Sequence, residues 1–280
     1  MMTLTEETPF RKFVLEADNS SHGGEIFLSL AKATCLEETA NGRKGAIIVD
    51  RTSDGLVPLI RTTTHYSTPV QDFGPIHRHL IERIKNCVGS DDNLQDIRFN
   101  NALVEMYDDR YTTMGHHSDQ ALDIKDGSSI ALFSCYDGMS NTDSRGVRSL
   151  CVKHKANHDK IPLENNSVVI FSTDTNKNYL HKIVLDGFVR GNGGRSSRWM
   201  GVTFRLSKTF IKFDDNDTPV ICHPVKSVVL RLANEEDKRS FFRHRKLENR
   251  ERGYEYPELD FTLSVGDTLR PLSDPITAQV

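Results

Sequence analysis

The 280-residue chain is poor in cysteine: five, at positions 35, 87, 135, 151 and 222, odd in number and without a CxxC pair. That excludes a disulfide-stapled scaffold and suits reduced thiols inside a cell, in cytoplasm or nucleus. No apolar run is long enough to cross a bilayer, and the opening MMTLTEETPFRKF lacks the apolar centre of a signal peptide. Positive charge is not in surplus either, with 36 Lys and Arg against 39 Asp and Glu, a net −3. A protein that lives on nucleic acid usually carries a basic excess, although a local patch can sit inside a neutral total. No internal repeat is found. What is present, 37% hydrophobic and 27% charged residues, describes a soluble globular protein with a full core, as one large domain or one with an appendage.

The segment 24–38 has helical spacing, with Ile26, Leu30 and Ala33 on one face. GAIIVD (45–50) reads as a buried strand, and 55–69 as an extended stretch broken by prolines. PIHRHLIERIKNCV (75–88) predicts an amphipathic helix, with Pro75 in its first turn and Gly89 after its end. From 97 to 213, strand signals follow one another at short intervals: NALVEMYD, SSIALFSCYD, RSLCVKHK, NSVVIFST, HKIVLDGF and RWMGVTFRLS. Nothing helical is expected between them, so a double sheet or barrel is the natural architecture. Residues 137–147 form a polar insertion. The run 233–253 predicts a charged helix with Asn234 as N-cap and Gly253 closing it.

TTMGHHSDQALD (112–123) raises the question of a metal. Two His and one carboxylate, with positions left open, suit non-haem Fe(II). Side chains two apart on an extended segment point to one side, so His117 and Asp119 can share an ion while His116 points away. The second imidazole must come from His154, His158 or His181, the last at the rim of a strand. CVKHKANH has Cys-x2-His-x3-His spacing, but it lacks a second cluster and Lys153 and Lys155 would crowd a cation, which disfavours zinc.

NNALVEMYDDRYTTMGHHSD, SSIALFSC, LCVKHK, IPLENNSVVIFSTDTNKNYLH and VTFRLS, in that order, resemble the AlkB-like branch of the Fe(II)/2-oxoglutarate dioxygenases. The resemblance covers roughly residues 45 to 213. It implies a mainly β fold with flanking helices (α+β) around a double-stranded β-helix, or jelly-roll. Residues 1–44 would then form a helical N-terminal extension, 45–213 the dioxygenase domain, and 214–280 a C-terminal extension whose charged helix packs on the core. The same resemblance implies His117, Asp119 and His181 as iron ligands, with 2-oxoglutarate and O2 as co-substrates.

A carboxylate-bearing co-substrate calls for arginine, whose planar fork pairs with it bidentately. Arg205 in VTFR matches the family's second arginine. Trp199 occupies the place of the first, one residue from Arg198, which would need a bulge to face the same way as Arg205. Arg198 and Arg205 are the expected pair, and Tyr107 matches the tyrosine that donates a hydrogen bond to the co-substrate. Glu105 stands where an asparagine is usual and is expected to point elsewhere or to pair with a base.

The implied reaction is decarboxylation of 2-oxoglutarate to succinate with hydroxylation of a substrate C–H bond, which releases formaldehyde when the carbon is N-methyl. Arg61, His65 and Tyr66 match the substrate-covering segment, so the expected partner is DNA or RNA carrying a methylated base. Gln120 and Ala121 replace the acids common after the HxD in base-repair members. That leaves open a protein side chain or small molecule as substrate, or a binding module that has lost turnover. Lys238, Arg239, Arg243, Arg245, Lys246, Arg250 and Arg252 on the tail helix alternate with acids. They are expected on a solvated face, with Glu235–Arg239 and Glu248–Arg252 as pairs and Phe241 and Phe242 docking the helix.

Overall fold

Strands such as NALVEMY and WMGVTFR alternate their side chains between two faces, and here both faces are covered. The computed structural model describes residues 8–15, 26–89, 96–138, 147–186, 198–223, 227–251 and 253–272. Most of the expected polar insertion, 139–146, and Arg252 lie outside them. The chain begins with β1 (Arg11–Val14), α1 (Ile26–Ala33), β2 (Glu37–Ala40), β3 (Arg43–Val49), β4 (Val57–Leu59), β5 (Gln71–Asp72) and α2 (Pro75–Val88). Next come β6 (Asn101–Tyr107), β7 (Ser129–Tyr136), β8 (Arg148–His154), β9 (Asn157–Leu163), β10 (Ser167–Ser172), α3 (Thr173–Asn178), β11 (Leu180–Leu185) and β12 (Trp199–Arg205). The last part holds β13 (Thr209–Phe213), β14 (Pro219–Ile221), β15 (Val228–Val229), β16 (Arg231–Leu232), α4 (Glu235–Glu248) and β17 (Phe261–Thr262).

The main sheet has the order β1-β10-β7-β12-β6-β3-β2, with β5 added beside β3. A smaller sheet, β11-β8-β9, faces it. Leu132, Val169 and Phe171 from the first meet Leu150, Val152, Ile161 and Ile183 from the second, which closes the jelly-roll core. On the other side of the main sheet, Leu30 of α1 and Leu80 and Ile84 of α2 pack against Ala102, Phe133 and Val202. A third sheet, β15-β14-β13-β4, flanks this body.

The sheets do not respect the expected division at residues 45 and 213. β1 pairs with β10 as an edge of the main sheet, and β13 pairs with β14 across residue 213. Nor is the strand region free of helix. TDTNKN forms α3, with the Ser172 hydroxyl accepting from the Thr175 N–H to satisfy an otherwise orphaned helix donor. Trp199 is fully buried and its indole lies over Gly201, where an added Cβ would sit 2.2 Å from the ring.

Candidate metal centre and active-site cavity

The segment from 112 to 124 leaves β6 and runs extended along the rim of the smaller sheet. There His117 and the β11 residue His181 form an isolated antiparallel bridge. The His117 N–H donates to the His181 carbonyl at 2.9 Å, and the His181 N–H returns the bond at 2.7 Å. A reciprocal pair of this kind puts both side chains on one side, and the ring centroids lie 4.8 Å apart. Asp119, two residues on, returns to that side, with Oδ1 3.6 Å from His181 Nε2. One ligating atom from each of the three lies within 4.8 Å of the others. Among the described residues no other trio of His, Cys, Asp or Glu comes together this way, so Cys151, His154 and His158 do not assemble.

Three local features prepare this trio. His117 Nδ1 lies 3.0 Å from the Gly115 carbonyl, which can only accept, so Nδ1 carries the proton and Nε2 keeps its lone pair. Burial, with His181 beside it, pushes the His117 pKa down to about 4, so the ring is neutral at pH 7, the form that ligates. Burial would raise Asp119, but the hydrogen bond from His181 and the charge of Arg205 outweigh it and hold the carboxyl well below its usual range. The Asp119 backbone is gripped by the side-chain amide of Asn176 on α3. Its N–H donates to Asn176 Oδ1 at 2.8 Å, and its carbonyl accepts from Nδ2 at 2.7 Å.

The trio opens into a cavity of about 360 Å³ between the two sheets. Leu132, Leu150, Phe171, Ile183 and Thr203 line its floor, Thr62, Thr63 and Thr64 one wall, and Tyr111, Met114 and His116 are also part of the lining. Arg205 is buried with one amino nitrogen 3.7 Å from Asp119 Oδ2, while its Nε and other amino nitrogen have no hydrogen-bond partner. Buried orphan donors of a cation are costly unless a ligand meets them, and a carboxylate fits that fork. Two imidazoles and a carboxylate with an open side likewise suit non-haem Fe(II). The Gln120 amide is also buried, lines the cavity, and has both its oxygen and nitrogen unpaired.

The other expected site residues are differently placed. Arg198 does not line the cavity. β12 is regular against both neighbours, so no bulge re-aims Arg198, and it pairs at the surface with Asp137 over the ring of Phe27. Tyr107 is wholly buried, stacked between Tyr111 and Trp199 at centroid distances of 4.6 and 4.8 Å, away from the cavity lining. Arg61 does line the cavity, but its guanidinium is spent on Asp123 (2.7 Å) and on the carbonyls of Leu259 and Phe261. Tyr66 is buried beside Gly45, and His65 is exposed outside the cavity.

Two lining arginines went unforeseen. Arg43, in a strand that starts two residues earlier than expected, pairs with Glu105 at 2.8 Å and so supplies that acid's partner. Arg245 of α4 is buried against the Ser118 carbonyl (2.8 Å) instead of solvated. Its spacing from buried Phe241, four residues earlier, was the available sign that it shares the docked face. Phe242, expected to dock, is 47% exposed. Among the described residues the helix makes the ion pairs Glu235–Lys238, Arg245–Glu248 and Asp237–Arg231, and the expected Glu248–Arg252 pair lies outside the described residues.

Residues 49–187 match the family model of the 2OG-Fe(II) oxygenase superfamily. The chain carries a 2OG-Fe(II) oxygenase domain. Enzymes of this family use Fe(II), 2-oxoglutarate and O2, and the oxygenase domain here presents the His-Asp-His cluster such an ion requires. The match ends before β12, which is nonetheless a central strand of the oxygenase sheet and carries Arg205. Among solved structures, a similar chain is a prolyl hydroxylase in complex with a hypoxia inducible factor oxygen degradation domain peptide fragment from Trichoplax adhaerens. It is 12% identical, with 72% of this chain and 85% of that one covered and a TM-score of 0.44. No curated protein matches the sequence.

Proposed function

We propose that His117, Asp119 and His181 hold Fe(II), that Arg205 holds a carboxylate of 2-oxoglutarate, and that this AlkB-like oxygenase hydroxylates or oxidatively demethylates a methylated base of a nucleic acid. The observation that carries the reading is the clustered trio with the unpaired guanidinium of Arg205 beside it. When bound, the iron with 2-oxoglutarate and O2 supplies oxidation of a C–H bond coupled to formation of succinate and CO2. The chain's own residues do the rest. Leu132, Phe171 and Ile183 keep the cavity floor apolar and shield it from water. The free amide of Gln120 offers a donor and an acceptor side by side, the pattern that matches a base edge. Tyr111 and His116 bring rings on which a base can stack.

A second reading, a protein side chain or small molecule as substrate, is favoured by the commitment of Arg61 and Tyr66 to the core and by the surface ion pairs. Arg98, Arg110, Arg198, Arg231 and Arg270, all exposed, are each paired with an aspartate that offsets their charge.

The test is succinate release by the purified protein with Fe(II), 2-oxoglutarate and O2, alone and with methylated oligonucleotides or peptides. Release stimulated by a methylated oligonucleotide, with formaldehyde formed, is expected. Stimulation by peptides alone would favour the second reading, and iron-loaded protein that releases no succinate with any of them would overturn both.

A further inference from the structure

The C-terminal end of α4 reaches back across the molecule to the loop that carries Asp119. The Ser118 N–H and hydroxyl both donate to Asn249 Oδ1, each at 3.1 Å. The Ala121 N–H donates to Glu248 Oε1 at 2.7 Å, and the Ser118 carbonyl accepts from Arg245 at 2.8 Å. Four hydrogen bonds from three consecutive-turn side chains therefore bracket Asp119 on both sides in the chain. Glu248 is itself fixed by Arg245 and by the Tyr256 hydroxyl at 2.7 Å. Asn176 grips the Asp119 peptide as well. The docked face of α4 is set by fully buried Phe241 packed on Phe261 and Leu263.

All of these α4 residues lie beyond 187, where the family match stops. We propose that Arg245, Glu248 and Asn249 are positioning residues for the metal ligand Asp119, so that the C-terminal extension completes the iron site. This rests on the assignment of His117, Asp119 and His181 as ligands. The segment 112–124 belongs to no strand; isolated bridges at Thr113, His117 and Ile124 tie it to the sheets, and Ser118 to Ala121 lie between the last two of these. Without the clasp its backbone N–H and C=O groups at 118 and 121 would turn to water, and the Asp119 carboxylate would lose a fixed aim. Partners that orient metal ligands typically contribute 10–100-fold in metal affinity.

The experiment uses the full chain with Co(II) as the probe, titrated by its visible absorption and by calorimetry. Glu248→Met and Asn249→Leu are expected to weaken Co(II) binding by about 10–100-fold while the metal-free Tm moves little. Glu248→Gln and Asn249→Asp, which keep the accepting oxygens, restore most of the affinity, and Arg243→Ala, exposed on the same helix, leaves it unchanged. Undiminished Co(II) affinity in both truncated variants overturns the clasp. In the unaltered protein the Ser118 and Ala121 amides are expected to exchange slowly with deuterium, and free exchange at both overturns it without any variant. Asp119→Ala serves as the reference: if it binds Co(II) as tightly as the unaltered protein, the ligand assignment itself fails.

Discussion

The aspartate two residues after His117 is the residue on which most depends. Asp119→Ala is expected to abolish iron-dependent succinate formation in the absence of substrate, whereas His116→Ala, outside the trio, largely spares it; equal loss in both would contradict the facing geometry. Arg205→Ala keeps the three ligand side chains but removes the two unpartnered guanidinium nitrogens, so the KM for 2-oxoglutarate is expected to rise at least 10-fold, in line with about 1.5–3 kcal/mol for a hydrogen-bonded charge. A third residue acts on stability. Burial pushes the Asp267 carboxyl up to about 7, with Thr262 and Arg61 pulling against it and Asp123 adding repulsion. The folded state thus keeps a proton that the unfolded chain releases at ordinary carboxylate pKa. The contribution of this group to stability is fully present below about pH 4 and is lost as pH rises from about 4 to about 7. Asp267→Asn should remove that slope and stabilise the protein at pH 8, measured by denaturant unfolding across pH 4 to 8.

At the scale of elements, β12 is constrained by its own filling. The Trp199 indole occupies the space over Gly201 and donates to Ser134 Oγ at 2.7 Å. Gly201→Ala must displace that ring from a packed core, with an expected loss of about 1–3 kcal/mol readable as a lower Tm. The strands β3, β6, β7, β8, β10, β11 and β12 and both long helices were legible from their composition and period: PIHRHLIERIKNCV is helical over the range its spacing predicts, 75–88. α3 was not, since six polar residues carry no apolar period and only a capping serine marks their start. β9, NHDKIPL, was missed because its exposed face is charged and it lacks the β-branched run of a buried strand. The HxD pair was readable from parity alone. The partner histidine needed the fold, which sets His181 across from His117. Arg245 shows the limit of charge patterns. Composition marks α4 as polar, and only docking decides which of its arginines turns inward.

Over the whole molecule, charge is spent locally. No helix among the described residues is long and apolar enough to cross a membrane, and Lys160, Lys177 and Lys208 each sit against an aspartate. Binding of a methylated single strand is therefore expected to depend weakly on salt, with a slope of log K against log salt shallower than about −2, the mark of few phosphate contacts. A steep slope would instead point to a phosphate-tracking surface.

The clasp on Ser118 closes a span of 131 positions, from the loop to Asn249. Contacts of such separation form only after the intervening chain has been made and folded. On the proposed clasp, the two histidines can meet during synthesis once β11 has paired with β8, while the aspartate between them, held until then by Asn176, gains its remaining contacts only when the last helix emerges and docks. Tight loading with iron would then wait for the end of translation, and a nascent chain stalled before residue 245 would carry the family's sequence signature without a finished place for the ion.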